Sequence, residues 1–184
     1  MVRSKGAPVR QRTTHMKGTQ SMSSDPDIRY LLDRLEIQDV IARYALAQNV
    51  TQNDDILLDL WREVFTPDAR LDYGAGGFGK GTYVELADWM RGDGPDGRMY
   101  EFTRWQHLLG LPTVTIDGDT ATARTDMLVT HKAKPDDGAE RESRWYVTSA
   151  FALHDNLVRT ADGWRIRFRR LEVLQATPGA RRGG

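Results

Sequence analysis

His107, His131 and His154 are the side chains of this sequence best suited to moving protons near neutral pH. An imidazole titrates close to working pH, so it can take a proton and return it. His107 sits inside an otherwise apolar and aromatic run, Arg104-Trp105-Gln106-His107-Leu108-Leu109-Gly110, and the other two follow in the next two strand-like segments. Only His15 lies outside this set. Tyr73 adds a phenol that can donate to a carbonyl oxygen as it gains charge. Such groups together suit elimination of water from a β-hydroxy carbonyl. A base removes the α-proton, a donor holds the enolate oxygen and an acid protonates the leaving hydroxyl. The plainer alternative is that each ring is buried and hydrogen-bonded to backbone. For a lone ring that alternative is the better default, and three rings on apolar strand faces weaken it. Three histidines also suggest zinc, but their wide spacing offers no local ligand pair, so a metal is not expected.

Bringing these rings to one place requires a sheet and something to close it. Asp25-Pro26-Asp27 opens a helix, and Ile28, Leu31, Leu32, Leu35, Ile37, Ile41, Tyr44 and Ala45 recur at helical spacing, which predicts one buried face. Asn53 or Asp54 can cap a second helix with the stripe Ile56, Leu57, Leu60, Trp61, Val64 and Phe65, ended by Thr66-Pro67-Asp68-Ala69. Arg70 to Tyr73 reads as a short strand, Gly74 to Gly81 as a glycine-rich rim and Thr82 to Arg91 as a third helix. The glycine loop lacks the Ser or Thr that a phosphate-binding loop needs after Lys80. Gly92 to Gly97 reads as a turn. The second half is rich in strands, with hairpin signals at Asp117-Gly118-Asp119 and Thr160 to Gly163. A period of two puts His131 on the face of Ala121, Ala123, Met127 and Val129, and His154 on the face of Ala150 and Ala152. In the last strand Trp164, Ile166 and Phe168 alternate with Arg165, Arg167 and Arg169, which reads as a solvated arginine face. Helices followed by consecutive strands make an α+β plan, and helices closing a curved sheet leave a blind interior suited to a small molecule.

Composition narrows the remaining choices. The 184 residues suit one domain, residues 25–176, flanked by disordered tails at 1–24 and 177–184. The 26 basic and 26 acidic residues balance, so nothing pulls the chain towards nucleic acid or a membrane surface. With no cysteine there are no disulfides or thiolate metal sites. The basic first segment has no apolar centre of the kind a secretory signal needs, and a cytoplasmic location is expected. Trp145, Tyr146 and Val147 leave a sheet face to cover, which predicts a homodimer or homotrimer.

Several short stretches carry a family likeness: Ile37 to Tyr44, Phe65 to Tyr73, Gln106-His107, Val114 to Ala121 and Asp162 to Ile166. Their order and spacing resemble the SnoaL-like branch of the nuclear transport factor 2-like superfamily, and within it the scytalone dehydratases. The resemblance implies a cone of about three N-terminal helices packed on a curved antiparallel sheet around a blind cavity. It also implies a cofactor-free lyase acting on a hydrophobic polyketide, aromatic or steroid-like carbonyl compound. Polyketide cyclisation and isomerisation are the alternatives within the fold. A non-catalytic binding or assembly subunit, like the small subunit of ring-hydroxylating dioxygenases, is the alternative outside enzymology. By resemblance, Tyr73 matches a tyrosine that holds a water against the substrate carbonyl. His107 matches a histidine beside it, and His131 matches the general base and acid. His154 falls where that family has asparagine. Asn49 stands where an aspartate that orients the histidine is expected. The catalytic set is thus His107, His131 and Tyr73, with Tyr44, Asn49, Trp105, Phe151, His154 and Asn156 expected at the substrate.

Overall fold

The structure is a computed structural model that describes residues 25–50, 54–91, 99–100, 102–133 and 145–176. The two expected tails, the turn at 92–97 and the side chains of Trp145, Tyr146 and Val147 lie outside the described residues. The chain runs α1 (Pro26–Val50), α2 (Asp54–Arg62), β1 (Phe65–Asp72), a 3-10 turn (Gly74–Gly76), β2 (Lys80–Gly81) and α3 (Tyr83–Arg91). It continues through β3 (Phe102–Leu109), β4 (Thr113–Asp117), β5 (Thr120–Ala133), β6 (Trp145–Thr160) and β7 (Gly163–Ala176). The strands form one sheet in the order β2-β1-β7-β6-β5-β3, with β4 also pairing β5. This is the expected α+β plan, a curved open sheet with its helices on one side. One pairing departs from the antiparallel expectation: β1 and β7 run parallel.

α1 is the long lid on the inner sheet face. Asp25 Oδ1 accepts the Asp27 amide at 2.9 Å and so satisfies an orphan donor at the helix start. The buried stripe is Asp33, Ile37, Val40, Ile41, Tyr44, Ala45, Ala47 and Gln48. Leu31 and Leu35, expected on that stripe, are each 58% exposed. At 3.6 residues per turn Leu35 and Ile37 point about 200° apart, so the expected single face is in fact two faces. α3 is capped reciprocally: Thr82 Oγ1 accepts the Glu85 amide at 3.2 Å, and Glu85 Oε2 accepts the Thr82 amide at 2.7 Å.

Two strand irregularities set which side chains face inward. β1 starts at Phe65, earlier than the expected short strand. Pro67 lies where the β1–β7 register shifts between Phe65 and Arg70, at an irregularity that tolerates a residue without an N–H. On β7, Asn156 pairs with Phe168 but Leu157 pairs with Ile166, so Arg167 is an extra residue. A slip of one flips every later side chain. Arg169 therefore turns into the core, fully buried, and the expectation of a solvated face holding Arg165, Arg167 and Arg169 fails at Arg169.

A polar clamp fixes the start of α1 to the last hairpin. Arg159 donates to both carboxylate oxygens of Asp33, each at 2.7 Å, and lies 4.5 Å from the Trp164 ring centre. Trp164 Nε1 donates to Asp33 Oδ1 at 3.2 Å. The Arg159 hydrogen bonds are the main reason the Asp33 carboxyl sits below its ordinary pKa of 3.8. Arg159→Ala strands a nearly buried carboxylate and is expected to cost about 2–3 kcal/mol in urea unfolding at pH 7. A depressed carboxylate stabilises the fold above its unfolded pKa and loses that contribution as pH falls through the folded one. The gap between wild type and variant should therefore narrow below pH 3.8.

Candidate active site

The last two turns of α1 gather the site, because Tyr44, Gln48 and Asn49 each reach a different neighbouring element. Tyr44 and Tyr73 share a hydrogen bond of 2.9 Å between their hydroxyls. Tyr73 follows β1, and the glycine loop holds it from behind: its amide donates to the Gly79 carbonyl at 2.7 Å. That return requires Gly77 and Gly79 at φ 98° and 95°, where a side chain would be strained. The loop is thus a brace for Tyr73. Gln48 Nε2 donates to Tyr44 Oη at 3.3 Å, and that oxygen keeps a second lone pair, so either phenol can donate within the tyrosine pair. Burial, and then the neighbouring Tyr44, push the Tyr73 phenol well above its ordinary pKa, so it is a neutral donor.

β3 carries Trp105, His107 and Leu109 on its inner face. Trp105 Nε1 donates to the Gln48 carbonyl at 2.7 Å, and Arg91 lies 4.8 Å from the indole centre. Asn49 grips His107 three ways. Its Nδ2 donates to the His107 carbonyl at 2.9 Å, while its Oδ1 accepts the His107 amide at 2.6 Å and faces ring Nδ1 at 3.1 Å. A carboxamide oxygen can only accept, so Nδ1 carries the proton and Nε2 is the ring's basic nitrogen. Protein packed around the half-buried ring pulls its pKa down to about 3, with His131 and Arg91 adding charge that opposes protonation. The ring is neutral at pH 7.

His131 stands on the same inner face, opposite Trp105 in the β3–β5 register, and stacks on Phe102 with centres 4.3 Å apart. Phe151 is also inward, paired with Met127 and half-buried. His154 and Asn156 are not with them. Leu153, Asp155 and Leu157 take the inner positions of β6, so His154 and Asn156 point to the outer face. His154 Nε2 meets Glu172 Oε2 there at 2.7 Å. The expected placement of these two at the substrate is corrected by strand alternation, and one ion cannot be held by His107, His131 and His154 across a sheet.

Sequence reasoning missed Asp155 and Arg169, the polar floor beneath the tyrosines. Arg169 donates to Asp155 through Nε at 2.6 Å and Nη2 at 2.8 Å, and its guanidinium lies 4.1 Å from the Tyr44 ring centre. Burial alone would lower the Arg169 pKa, but the Asp155 charge outweighs it and holds the value above the ordinary one. A signal was present: Arg169, Leu171 and Val173 share a period of two. A groove of about 410 Å³ opens between α1 and β3, lined by Asp39, Ala42, Arg43, Ala45, Leu46, Asn49, His107 and Leu109. A larger cleft of about 850 Å³ on the outer face takes in Asn156 alone of the expected residues.

This architecture, a helical lid over a curved sheet with its titratable groups on the inner face, is that of the nuclear transport factor 2-like fold. Residues 29–170 match the model of the SnoaL-like domain, and the chain belongs to that family. An uncharacterised protein of Mycobacterium tuberculosis is 34% identical over 145 residues, covering 77% of this chain and 84% of that one. A nuclear transport factor 2-like protein with a cystatin-like fold from Novosphingobium aromaticivorans aligns with a TM-score of 0.60 at 28% identity, over 84% of this chain and 90% of that one. A protein of the same species provisionally named a scytalone dehydratase aligns with a TM-score of 0.59 at 18% identity, over 80% and 88% respectively.

Asn49→Asp tests the clamp. The carboxylate still accepts from the ring but cannot donate to the His107 carbonyl, and its charge favours the imidazolium. The His107 pKa, followed by NMR, should rise from its depressed value. Loss of about 1 kcal/mol should lower Tm by about 2–4 °C. An unaltered titration would mean that Asn49 does not touch the ring in solution.

Proposed function

We propose that this protein is a cofactor-free lyase that abstracts a proton next to the carbonyl of a hydrophobic metabolite and expels water. The observation that carries this reading is the Asn49 grip, which leaves His107 neutral with Nε2 as its acceptor. Nε2 takes the α-proton. The phenol of Tyr73 supports the enolate oxygen when Tyr44 is the donor within the tyrosine pair. His131 returns a proton to the departing hydroxyl. Of these three groups His107 alone lines the groove whose apolar walls, Ala42, Ala45, Leu46 and Leu109, favour a hydrophobic substrate. Cyclisation or isomerisation would use the same proton abstraction and differ in where the electrons of the enolate go.

A second reading, a ligand-binding or assembly subunit, draws on the filling of the interior. Tyr44 stacks on Trp61 with centres 5.2 Å apart, and Tyr73 is only 6% exposed.

The two readings separate in a screen of apolar β-hydroxy ketones, followed by enone absorbance and by loss of the α-proton signal in heavy water. His107→Ala and His131→Ala should each lower kcat/KM by about 10²–10⁴-fold, and Tyr73→Phe by about 10²-fold. With the base already neutral, kcat/KM should not fall as pH drops from about 8 to 5. Normal turnover in both folded histidine variants would sink the lyase reading, and exchange of the α-proton without elimination would favour isomerisation.

A further inference from the structure

The outer face of the sheet is charged in rows, because β5, β6 and β7 lie side by side. Arg124, His154 and Arg170 stand opposite one another across the three strands and make a basic row. Two residues further along, Asp126, Ala152 and Glu172 make an acidic row. Within the chain Arg124 meets Asp126 at 2.9 Å and His154 meets Glu172 at 2.7 Å, and all four side chains stay partly open to water. Beyond the acidic row the face turns apolar. Leu108, Leu128 and Ala150 are cross-strand neighbours there, and Leu108, Leu128 and nearby Leu174 are 61%, 45% and 45% exposed. Beyond the basic row lie Thr122, Asn156 and Phe168, which line the outer cleft of about 850 Å³.

We propose that this face is the interface of a homodimer whose two-fold axis runs between the basic and acidic rows, parallel to the stacked sheets and across their strands. Rotation about that axis exchanges the rows on each strand. Arg124 meets the partner's Asp126, and Glu172 meets the partner's Arg170. The same rotation lays Leu128 over the partner's Thr122 and Ala150 over the partner's Asn156. The open leucines of each copy thus come to the cleft of the other. An axis along β6 would instead set Arg124 on the partner's Arg170 and Asp126 on the partner's Glu172, like charge on like. Of the two ways to stack these sheets with strands aligned, the charge pattern admits one. A second copy is the occupant because the face is complementary to its own image, which is the condition for an isologous contact. Exposed ion pairs add little affinity, so the leucines supply attachment and the charges supply orientation. His107 takes no part, and the dimer stands apart from the lyase reading.

Sedimentation of the full chain at micromolar concentration should give twice the mass of one chain. Arg124→Glu with Arg170→Glu makes both rows acidic, and Asp126→Arg with Glu172→Arg makes both basic. Each double variant should keep its circular dichroism and weaken self-association by at least about tenfold. An equimolar mixture of the two should recover the dimer. Cross-linking tests the axis, since the chain has no cysteine of its own. Facing sheets lie about 10 Å apart, too far for a disulfide, so a thiol cross-linker of about 8 Å is used. Thr122→Cys mixed with Leu128→Cys should be joined by it, and neither variant should be joined to itself. A monomeric wild type, double variants that dimerise as tightly as wild type, or a mixture of them that stays monomeric would each overturn the proposal. So would Thr122→Cys and Leu128→Cys chains that join only to their own kind.

Discussion

A full positive charge lies in the core of this domain with no exposure to water, and much of the architecture answers to it. Arg169 survives there because Asp155 on the adjacent strand meets it side-on with two short hydrogen bonds. Either partner alone would leave an uncompensated buried charge, a cost of about 3–5 kcal/mol. The pair also fixes what may lie above it. An aromatic face stabilises a cation, and Tyr44 and Phe65 provide two, with ring centres 4.1 and 5.7 Å from the guanidinium. Tyr44 is thereby held where its hydroxyl meets Tyr73. The ion pair, the cation–π contact and the tyrosine pair form a column from the sheet floor to the helical lid. Among the described residues the guanidinium Nη1 has no hydrogen-bond partner.

Above the column, α1 acts as a ruler. Tyr44, Gln48 and Asn49 span little more than one turn, yet they address β1, α3 and β3 in that order. A carboxamide suits position 49 because the β3 backbone presents both an amide to be accepted and a carbonyl to be donated to. Asn49 thus extends the sheet edge by one side chain and orients an imidazole at the same time. An aspartate could do the second task but not the first.

The fold was legible because its signals are local. Glycine turns at 118 and 163 and the alternation of Ala121, Ala123, Met127 and Val129 each specify their element without help from distant residues. His131 came out on the inner face by that logic, and the family likeness pointed to Tyr73 and His107. Phase was less legible. The extra Arg167 on β7 reverses inside and outside up to the next irregularity, between Val173 and Gln175, and a bulge leaves no mark in composition. His154 looked inward because Ala150 and Ala152 beside it are small, but small residues are tolerated on both faces. On α1 two apolar stripes were read as one, since leucines at 31 and 35 look equally fit for a core until the partner surface is known.

The parallel pairing of β1 with β7 has a consequence for how the chain is made. Phe65 pairs beside Ile166, so a strand completed early in synthesis waits for the last one to emerge before its hydrogen bonds close. Contacts between residues so far apart carry a large loop-closure cost and slow folding. During translation the nascent chain presents helices, β1 and most of the strands while Arg169, the counter-charge of Asp155, is still inside the ribosome. The buried carboxylate then has no partner, and the inner sheet face has no reason to dry. The sheet can therefore close only once β7 is available, and until then the chain presents unpaired strand edges.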